Sequence, residues 1–250
     1  VSGQLGWIAA VRHGQSTGNV TRDQAELDGH EVMGIAERDA DVPLTDLGRA
    51  QALRVGVWLA DNVLDVVVCS SYRRAQDTAA VALAEAARRG ATAPIGPIVD
   101  ERLRDRELGV LDLLTSHGLL ARFPDEVDRR RHLGKFYHRP PGGESWADVV
   151  LRVRFLLSEL HDRYAGRRVA LFAHDMTIHA LSYILEGVAE PELLRRAART
   201  SIANGAIAVW EPDDGAVPFG YRMVFSERIA YPHTARAAVA PEDDTATRAG

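Results

Sequence analysis

The stretch Val11-Arg12-His13-Gly14-Gln15-Ser16-Thr17-Gly18-Asn19 follows directly on the apolar run Trp7-Ile8-Ala9-Ala10. A short apolar run of this kind reads as a buried strand, and its Arg-His-Gly end falls where open α/β sheets bind ligands. Imidazole can act as a covalent nucleophile, and the planar fork of a guanidinium matches phosphate oxygens. His13 and Arg12 are therefore the first candidates for phosphoryl chemistry. On its own, the same histidine would read about equally well as a capped strand end.

Working outward, Leu5–Val11, Val63–Cys69, Val169–Ala173 and Ala206–Trp210 are short, apolar and often β-branched, which predicts four buried strands. Amphipathic stretches predict helices over 46–61, 71–89, 146–164, 175–187 and 190–199. Thr45 is placed to cap the first, and Ser145-Trp146-Ala147-Asp148 has the form of a capping box. Strands alternating with helices predict an α/β fold, a three-layer α/β/α sandwich with a mostly parallel sheet. Phe219–Ser226 reads as one more strand, antiparallel at the edge. Residues 110–144 break the rhythm: they are polar and basic, end in Pro140-Pro141-Gly142-Gly143, and read as a helical lid insertion. The expected organisation is one domain over 1–233 with that insertion at about 110–144, then a fraying tail over 234–250.

Composition narrows the classes of function. With 46% hydrophobic and 26% charged residues the chain is ordinary for a globular protein, and no apolar run approaches the length of a membrane span. A net charge of −5 argues against nucleic acid or an anionic membrane as partner, so an anion site must be a local basic cluster. Such clusters occur at 102–106, 129–139 and 195–199. Cys69 is the only cysteine, which excludes an internal disulfide and suits a reducing compartment. The opening residues lack a basic region before an apolar stretch, so no secretory leader is read there and a cytoplasmic location is expected. No phosphate-loop motif and no metal-ligand spacing is present, so no metal and no cofactor are expected. The sequence leaves a homodimer open.

Three further segments carry chemistry. Ser70-Ser71-Tyr72-Arg73-Arg74-Ala75-Gln76-Asp77-Thr78-Ala79 follows a predicted strand, so Arg74 opens a helix at the same sheet edge as His13. Phe172-Ala173-His174-Asp175 ends another strand in a second imidazole, which would be protonated beside a phosphate and stabilise the transferring group. Asp100-Glu101-Arg102-Leu103-Arg104-Asp105-Arg106-Glu107-Leu108-Gly109 supplies candidate acids. Singly, each reads as well as a solvated charged segment.

Together these segments resemble the histidine phosphatase superfamily, which includes cofactor-dependent phosphoglycerate mutases and fructose-2,6-bisphosphatase. The resemblance spans roughly residues 7–187. It rests on Arg-His-Gly-x-Ser-x-x-Asn at 12–19, Pro-Leu-Thr-x-x-Gly at 43–48, Ser-x-x-x-Arg-Ala-x-x-Thr-Ala at 70–79 and the strand-end His174. It implies a phosphohistidine at His13, a phosphate pocket completed by Arg12, Arg74 and His174, and Asn19 in the lining loop. Many members have a glutamate as proton donor two residues after the leucine of the 100–109 segment; here that position is Asp105. If 103–109 run extended, Glu107 shares a face with Asp105 and is the alternative acid. Asp175, of the His-Asp pair used by acid phosphatases of the superfamily, ranks third. The segment 134–145 resembles the fructose-2,6-bisphosphatase-like branch, and on that alignment Arg131, Lys135 and Arg139 fall on substrate-binding positions. An exposed basic helix is an equal reading of the same residues. Pro140 replaces an aromatic residue there, so the sugar does not carry over.

The expected function is a metal-independent phosphatase of a small phosphorylated metabolite. A mutase, in which an alcohol replaces water as acceptor, is the second reading. A non-catalytic phosphate-binding protein on the same fold is the third, disfavoured because Arg12, His13, Arg74 and His174 are all retained.

Overall fold

The computed structural model describes residues 3–199, 202–213 and 220–227. Six strands form one sheet: β1 (Trp7–Arg12), β2 (Val66–Cys69), β3 (Ile95–Val99), β4 (Arg168–Ala173), β5 (Ile207–Pro212) and β6 (Tyr221–Glu227). Their order is β3-β2-β4-β1-β5-β6. The first four run parallel, while β5 pairs antiparallel with β1 and β6 antiparallel with β5. The edge strand expected near 219–226 is β6; Phe219 and the predicted tail lie outside the described residues.

Helices cover both faces, so the central strands are apolar throughout rather than alternating. α2 (Asp46–Asp61) and α3 (Arg73–Arg88) lie on one face, and α6 (Trp146–Arg163), α7 (Asp175–Leu185) and α8 (Glu190–Arg199) on the other. Strand periodicity divides β1 between the layers: Trp7, Ala9 and Val11 pack with Val55, Leu59 and Ala82, whereas Ile8 and Ala10 pack with Val153, Leu157 and Leu181. Gly56 lets α2 approach α3 closely, because a Cβ there would lie 2.5 Å from the Ala82 carbonyl oxygen. Thr45 caps α2 through the Gly48 amide, and Ser145 with Asp148 forms the reciprocal box that starts α6.

Two elements have no apolar signature in the sequence. β3 is an edge strand with Ile95 and Val99 exposed, and α1 (Thr17–Leu27) buries only Ala25. The insertion contains α4 (Ser116–Arg122) and α5 (Pro124–Leu133). It is tied to the segment after α1 by a Val32–Leu114 bridge and by the Thr115 amide donating to the Glu31 carbonyl at 3.1 Å. Among the described residues no helix is long and apolar enough to cross a membrane.

Candidate active site

The parallel strands end level, and that alignment assembles the site. Arg12 is opposite Ala173 and Cys69 opposite Phe172, so the residues that follow emerge side by side. The His13 amide donates to the Ala173 carbonyl at 3.0 Å, and the Ser70 amide to the Phe172 carbonyl at 2.9 Å. His13, after β1, therefore faces His174, after β4, with ring centroids 5.2 Å apart. Arg74, in the first turn of α3, reaches the same edge with a guanidinium only 5% exposed.

His13 is oriented by its own turn. Its Nδ1 lies 2.7 Å from the Gly14 carbonyl oxygen. A carbonyl only accepts, so Nδ1 carries the proton and the lone pair of Nε2 is available. The turn is clamped from three distant segments. The Gly14 amide donates to Thr78 Oγ1 at 2.9 Å, the Gln15 amide to Gln51 Oε1 at 2.7 Å, and Thr45 Oγ1 to Gln15 Oε1 at 2.8 Å. Asn204 Nδ2 donates both to the His13 carbonyl, at 3.1 Å, and to Asn19 Oδ1, at 3.2 Å. Asn19 in turn accepts from the Ser16 amide, closing the capping box of α1. Two glycines make the clamp possible: a Cβ on Gly14 would lie 2.3 Å from the Gly48 carbonyl oxygen, and one on Gly48 would lie 2.0 Å from that of Gln15. The Pro-Leu-Thr-x-x-Gly motif thus holds the histidine turn and supplies no reacting group.

The charges are compensated from within. Arg74 donates to the Asp39 carbonyl at 2.6 Å, to both Asp39 carboxylate oxygens at 3.1 Å and to Asp105 Oδ2 at 3.1 Å. Burial opposes ionisation of Asp105, but His174, Arg74 and the Arg106 amide outweigh it and hold the carboxyl below the usual range. Burial pushes His13 well below an ordinary imidazole, and the nearby His174, Arg74 and Arg12 push the same way. His174 is lowered to about 3, by burial against the pull of Asp105 and with the push of Arg74 and Arg12. Both shifts favour the neutral imidazole in the free protein; the protonated His174 read from the sequence belongs to the phosphate-bound state, in which the charge of the ligand favours the imidazolium. Ser70 Oγ lies 2.8 Å from His174 Nε2, while His174 Nδ1, fully buried, faces Asp105 Oδ2 at 3.4 Å without a hydrogen bond. Arg12 donates through Nη1 to the Ile202 carbonyl and leaves a buried Nε without a partner among the described residues. Buried polar atoms are rarely left unsatisfied, so two orphans beside a nucleophile mark a place where a ligand belongs.

A cavity of about 200 Å³ opens over these groups. Arg12, His13, Asn19, Arg74, Asp105 and Asp175 line it. Asp175 Oδ1 accepts from the Ile202 amide. Glu107 is outside this lining and accepts from the Tyr72 hydroxyl at 2.8 Å. Arg131, Lys135 and Arg139 are also outside it. Arg131 pairs with Asp128 at 2.8 Å, Lys135 sits 5.2 Å from the Trp146 ring centroid, and Arg139 pairs with Asp148. Four participants had no sequence signal beyond single polar residues in charged or irregular segments: Asp39, Asn204, and the cavity-lining Arg22 and Arg106.

Paired histidines and arginines at the carboxyl ends of parallel strands define a phosphate-handling α/β protein. The comparison with known families is specific: residues 8–219 match the histidine phosphatase superfamily (branch 1), and the chain belongs to it. Among relatives, the 2,3-bisphosphoglycerate-dependent phosphoglycerate mutase of Azorhizobium caulinodans is 32% identical over 80% of this chain and 88% of its own. That of Methylorubrum populi is 31% identical over 81% and 88%. Among solved structures, a mycobacterial glucosyl-3-phosphoglycerate phosphatase in complex with VO3 is 29% identical, with TM-score 0.63 over 88% of this chain and 97% of its own. A structure described as mycobacterial hydrolase 1 is 28% identical, with TM-score 0.65 over 88% and 96%. The enzymes named among these similar chains are mutases and phosphatases.

Proposed function

We propose that this protein hydrolyses a small phosphomonoester through a phosphohistidine on His13. The observation that carries this reading is the arrangement at the end of β1: a neutral His13 with a free Nε2, facing His174, Arg12 and Arg74, with Asp105 within reach. In the first step Nε2 attacks phosphorus and the ester P–O bond breaks. Arg12, Arg74 and His174 bind the equatorial oxygens, and the Asp105 carboxyl gives its proton to the departing alkoxide. In the second, the Asp105 carboxylate takes a proton from water, the new P–O bond forms, the P–N bond breaks and phosphate leaves.

Asp105 is ionised in the free site, so the proton it donates must arrive with the substrate. A phosphate monoanion supplies it: the ligand displaces Asp39 and Asp105 from Arg74 and adds negative charge beside the carboxyl, which raises its pKa. The two guanidiniums supply the positive charge for these steps and His174 a hydrogen-bonding nitrogen, so the reading calls for no metal ion. Phosphate release from p-nitrophenyl phosphate and a panel of phosphorylated metabolites, with EDTA present, tests the reading. Activity that persists in EDTA and vanishes in His13→Ala supports it, whereas activity retained by that variant overturns it.

The curated relatives favour a second reading, phosphoryl transfer to an alcohol, because those named above are mutases. Isomerisation of phosphoglycerate that depends on added bisphosphoglycerate, with little phosphate release, would decide for it. The hydrolytic reading rests on the structural neighbours described as a phosphatase and a hydrolase. A cytoplasmic location remains part of the same proposal.

A further inference from the structure

The two histidines of the site are held by different nitrogens, and the partner of the second one decides where its proton sits. His174 and Ser70 are both fully buried, with Ser70 Oγ 2.8 Å from His174 Nε2. The same oxygen accepts from the Tyr72 amide at 3.2 Å and has no third partner among the described residues. A neutral imidazole carries one proton, so the contact can be made in two ways. With the proton on Nε2, the ring would donate to Ser70, whose own hydroxyl hydrogen would then be buried without an acceptor. The Nδ1 lone pair would also face the Asp105 carboxylate at 3.4 Å, acceptor against acceptor. With the proton on Nδ1, the Ser70 hydroxyl donates to Nε2 and neither conflict arises. Leaving a buried donor unmade costs more than a typical hydrogen bond gains, which decides for the second arrangement.

Building on the phosphatase reading, we infer that Ser70 is a positioning residue: its hydroxyl holds the proton of a neutral His174 on Nδ1 and so gives the transferring phosphoryl group an N–H donor. The nitrogen that is protonated is set by the hydrogen bond the other one makes. Both rings are then the same tautomer, used in opposite senses. His13 commits its Nδ1–H to the Gly14 carbonyl and offers the Nε2 lone pair to phosphorus. His174 commits its Nε2 lone pair to Ser70 and keeps Nδ1–H, which has no hydrogen-bond partner among the described residues, for a ligand oxygen. Strand register puts Ser70 in place: Cys69 is opposite Phe172, and the Ser70 amide donates to the Phe172 carbonyl at 2.9 Å. Tyr72 braces the ring edge-on, with centroids 5.2 Å apart, and the Arg74 guanidinium lies 4.9 Å from the Tyr72 ring centroid. The donor does not depend on a charged His174. Burial, against the pull of Asp105, lowers His174 to about 3, and the neutral ring already carries the N–H that is needed. When the charge of a bound phosphate brings a second proton, Nε2 receives it, the Ser70 hydroxyl turns to accept it, and Nδ1–H is unchanged.

The test reads the tautomer itself. The full chain labelled with ¹⁵N-histidine is followed by long-range ¹H–¹⁵N correlation at neutral pH without ligand, and the His174 signals are assigned by their absence from His174→Gln. The wild type is expected to show a protonated Nδ1 and a bare Nε2. In Ser70→Ala the proton should leave Nδ1, wholly or in part. The kcat/KM of that variant should fall by about 10–100-fold, the scale for losing the partner that orients a histidine. Its affinity for inorganic phosphate, measured calorimetrically, should fall about tenfold, as loss of one hydrogen bond to a charged group warrants. Ser70→Thr, which keeps a hydroxyl, should hold the tautomer and the rate together. A wild-type ring protonated on Nε2 would overturn the inference and, with hydrolysis intact, leave the phosphatase reading standing. A Ser70→Ala protein that is slower or less stable with its His174 tautomer unchanged would overturn it too, since that is a purely structural role. A changed tautomer without loss of rate or phosphate affinity would also overturn it. Absence of any hydrolysis by the wild type, with tautomer and phosphate binding both sensitive to Ser70, would sustain the donor and overturn the phosphatase reading.

Discussion

Two regions of this protein are rich in cations and histidine, and they are built in opposite ways. In 129–139 the charges are settled locally: Arg129 pairs with Glu126, Arg131 with Asp128 and Arg139 with Asp148, and His138 lies 2.9 Å from Glu126. Around His13 few residues are sequence neighbours, and the partners come from positions 39, 45, 51, 74, 78, 105, 174 and 204. A local cluster of this kind meets much of its charge within itself. A convergent one leaves buried Arg12 Nε and His174 Nδ1 without partners among the described residues. Density of charge along the chain is thus a poor guide to a site; unsatisfied polarity brought together by the fold is a better one.

The largest effect that would break this comparison is at His13. His13→Ala should lower phosphate release by about 10⁶-fold, the scale of losing a nucleophile. Next comes Asp105→Asn, expected to cost about 10²–10⁴ in kcat with an alkyl phosphate and far less with p-nitrophenyl phosphate, whose leaving group needs no acid. Glu107→Gln, by contrast, should change kcat less than threefold, in keeping with about what a partly exposed hydrogen-bonded group contributes. If the two acids exchange these behaviours, the assignment of Asp105 falls.

The pH profile sharpens the same point. Burial and the neighbouring His174, Arg74 and Arg12 hold His13 well below the ordinary imidazole range, so mild acid does not switch off the nucleophile. The proton for the leaving group enters with the phosphate monoanion, whose second pKa is about 6. The wild-type kcat/KM should therefore fall as pH rises through about 6, by about tenfold per unit. A profile that rises from pH 5 to 8 would contradict the protonation scheme.

Smaller effects separate the clamp from the scaffold. Gly48→Ala and Gly56→Ala should each destabilise the protein by about 1–3 kcal/mol, because each Cβ meets backbone oxygen. For a chain of this size that is about 2–4 °C of Tm per kcal/mol. Only Gly48→Ala should also lower kcat of the folded protein, since the obstructing atom belongs to the His13 turn. At the bottom of the scale, Arg131→Ala and Arg139→Ala should alter kcat/KM less than twofold and stability by under about 0.5 kcal/mol. A tenfold rise in KM for either would return the 129–139 segment to the substrate.

Much of the scaffold was legible because burial on both faces writes long apolar runs into a sequence. Helix α2 matches its predicted range, and His174 ends a strand as read. The histidine turn was legible through its motif, and its carbonyl-bound Nδ1 matches the orientation the chemistry asks for. Other parts left no trace. β3 is exposed on its edge and α1 is mostly exposed, so neither has the periodicity that burial imposes. Asn204 and Asp39 act through contacts with residues far away in the chain, which no local pattern encodes. Glu107 stood as the alternative to Asp105 on the premise of an extended backbone over 103–109; in the structure the two carboxylates part company, Asp105 against Arg74 and His174 and Glu107 against the Tyr72 hydroxyl.

One measurement reaches the central claim directly. The protein is mixed with substrate carrying a radiolabelled phosphoryl group, quenched in alkali during turnover, and digested. The account predicts acid-labile, alkali-stable label on the peptide containing His13, and none in His13→Ala. Steady turnover with no covalent label at any quench time, or label on a peptide lacking His13, would contradict it.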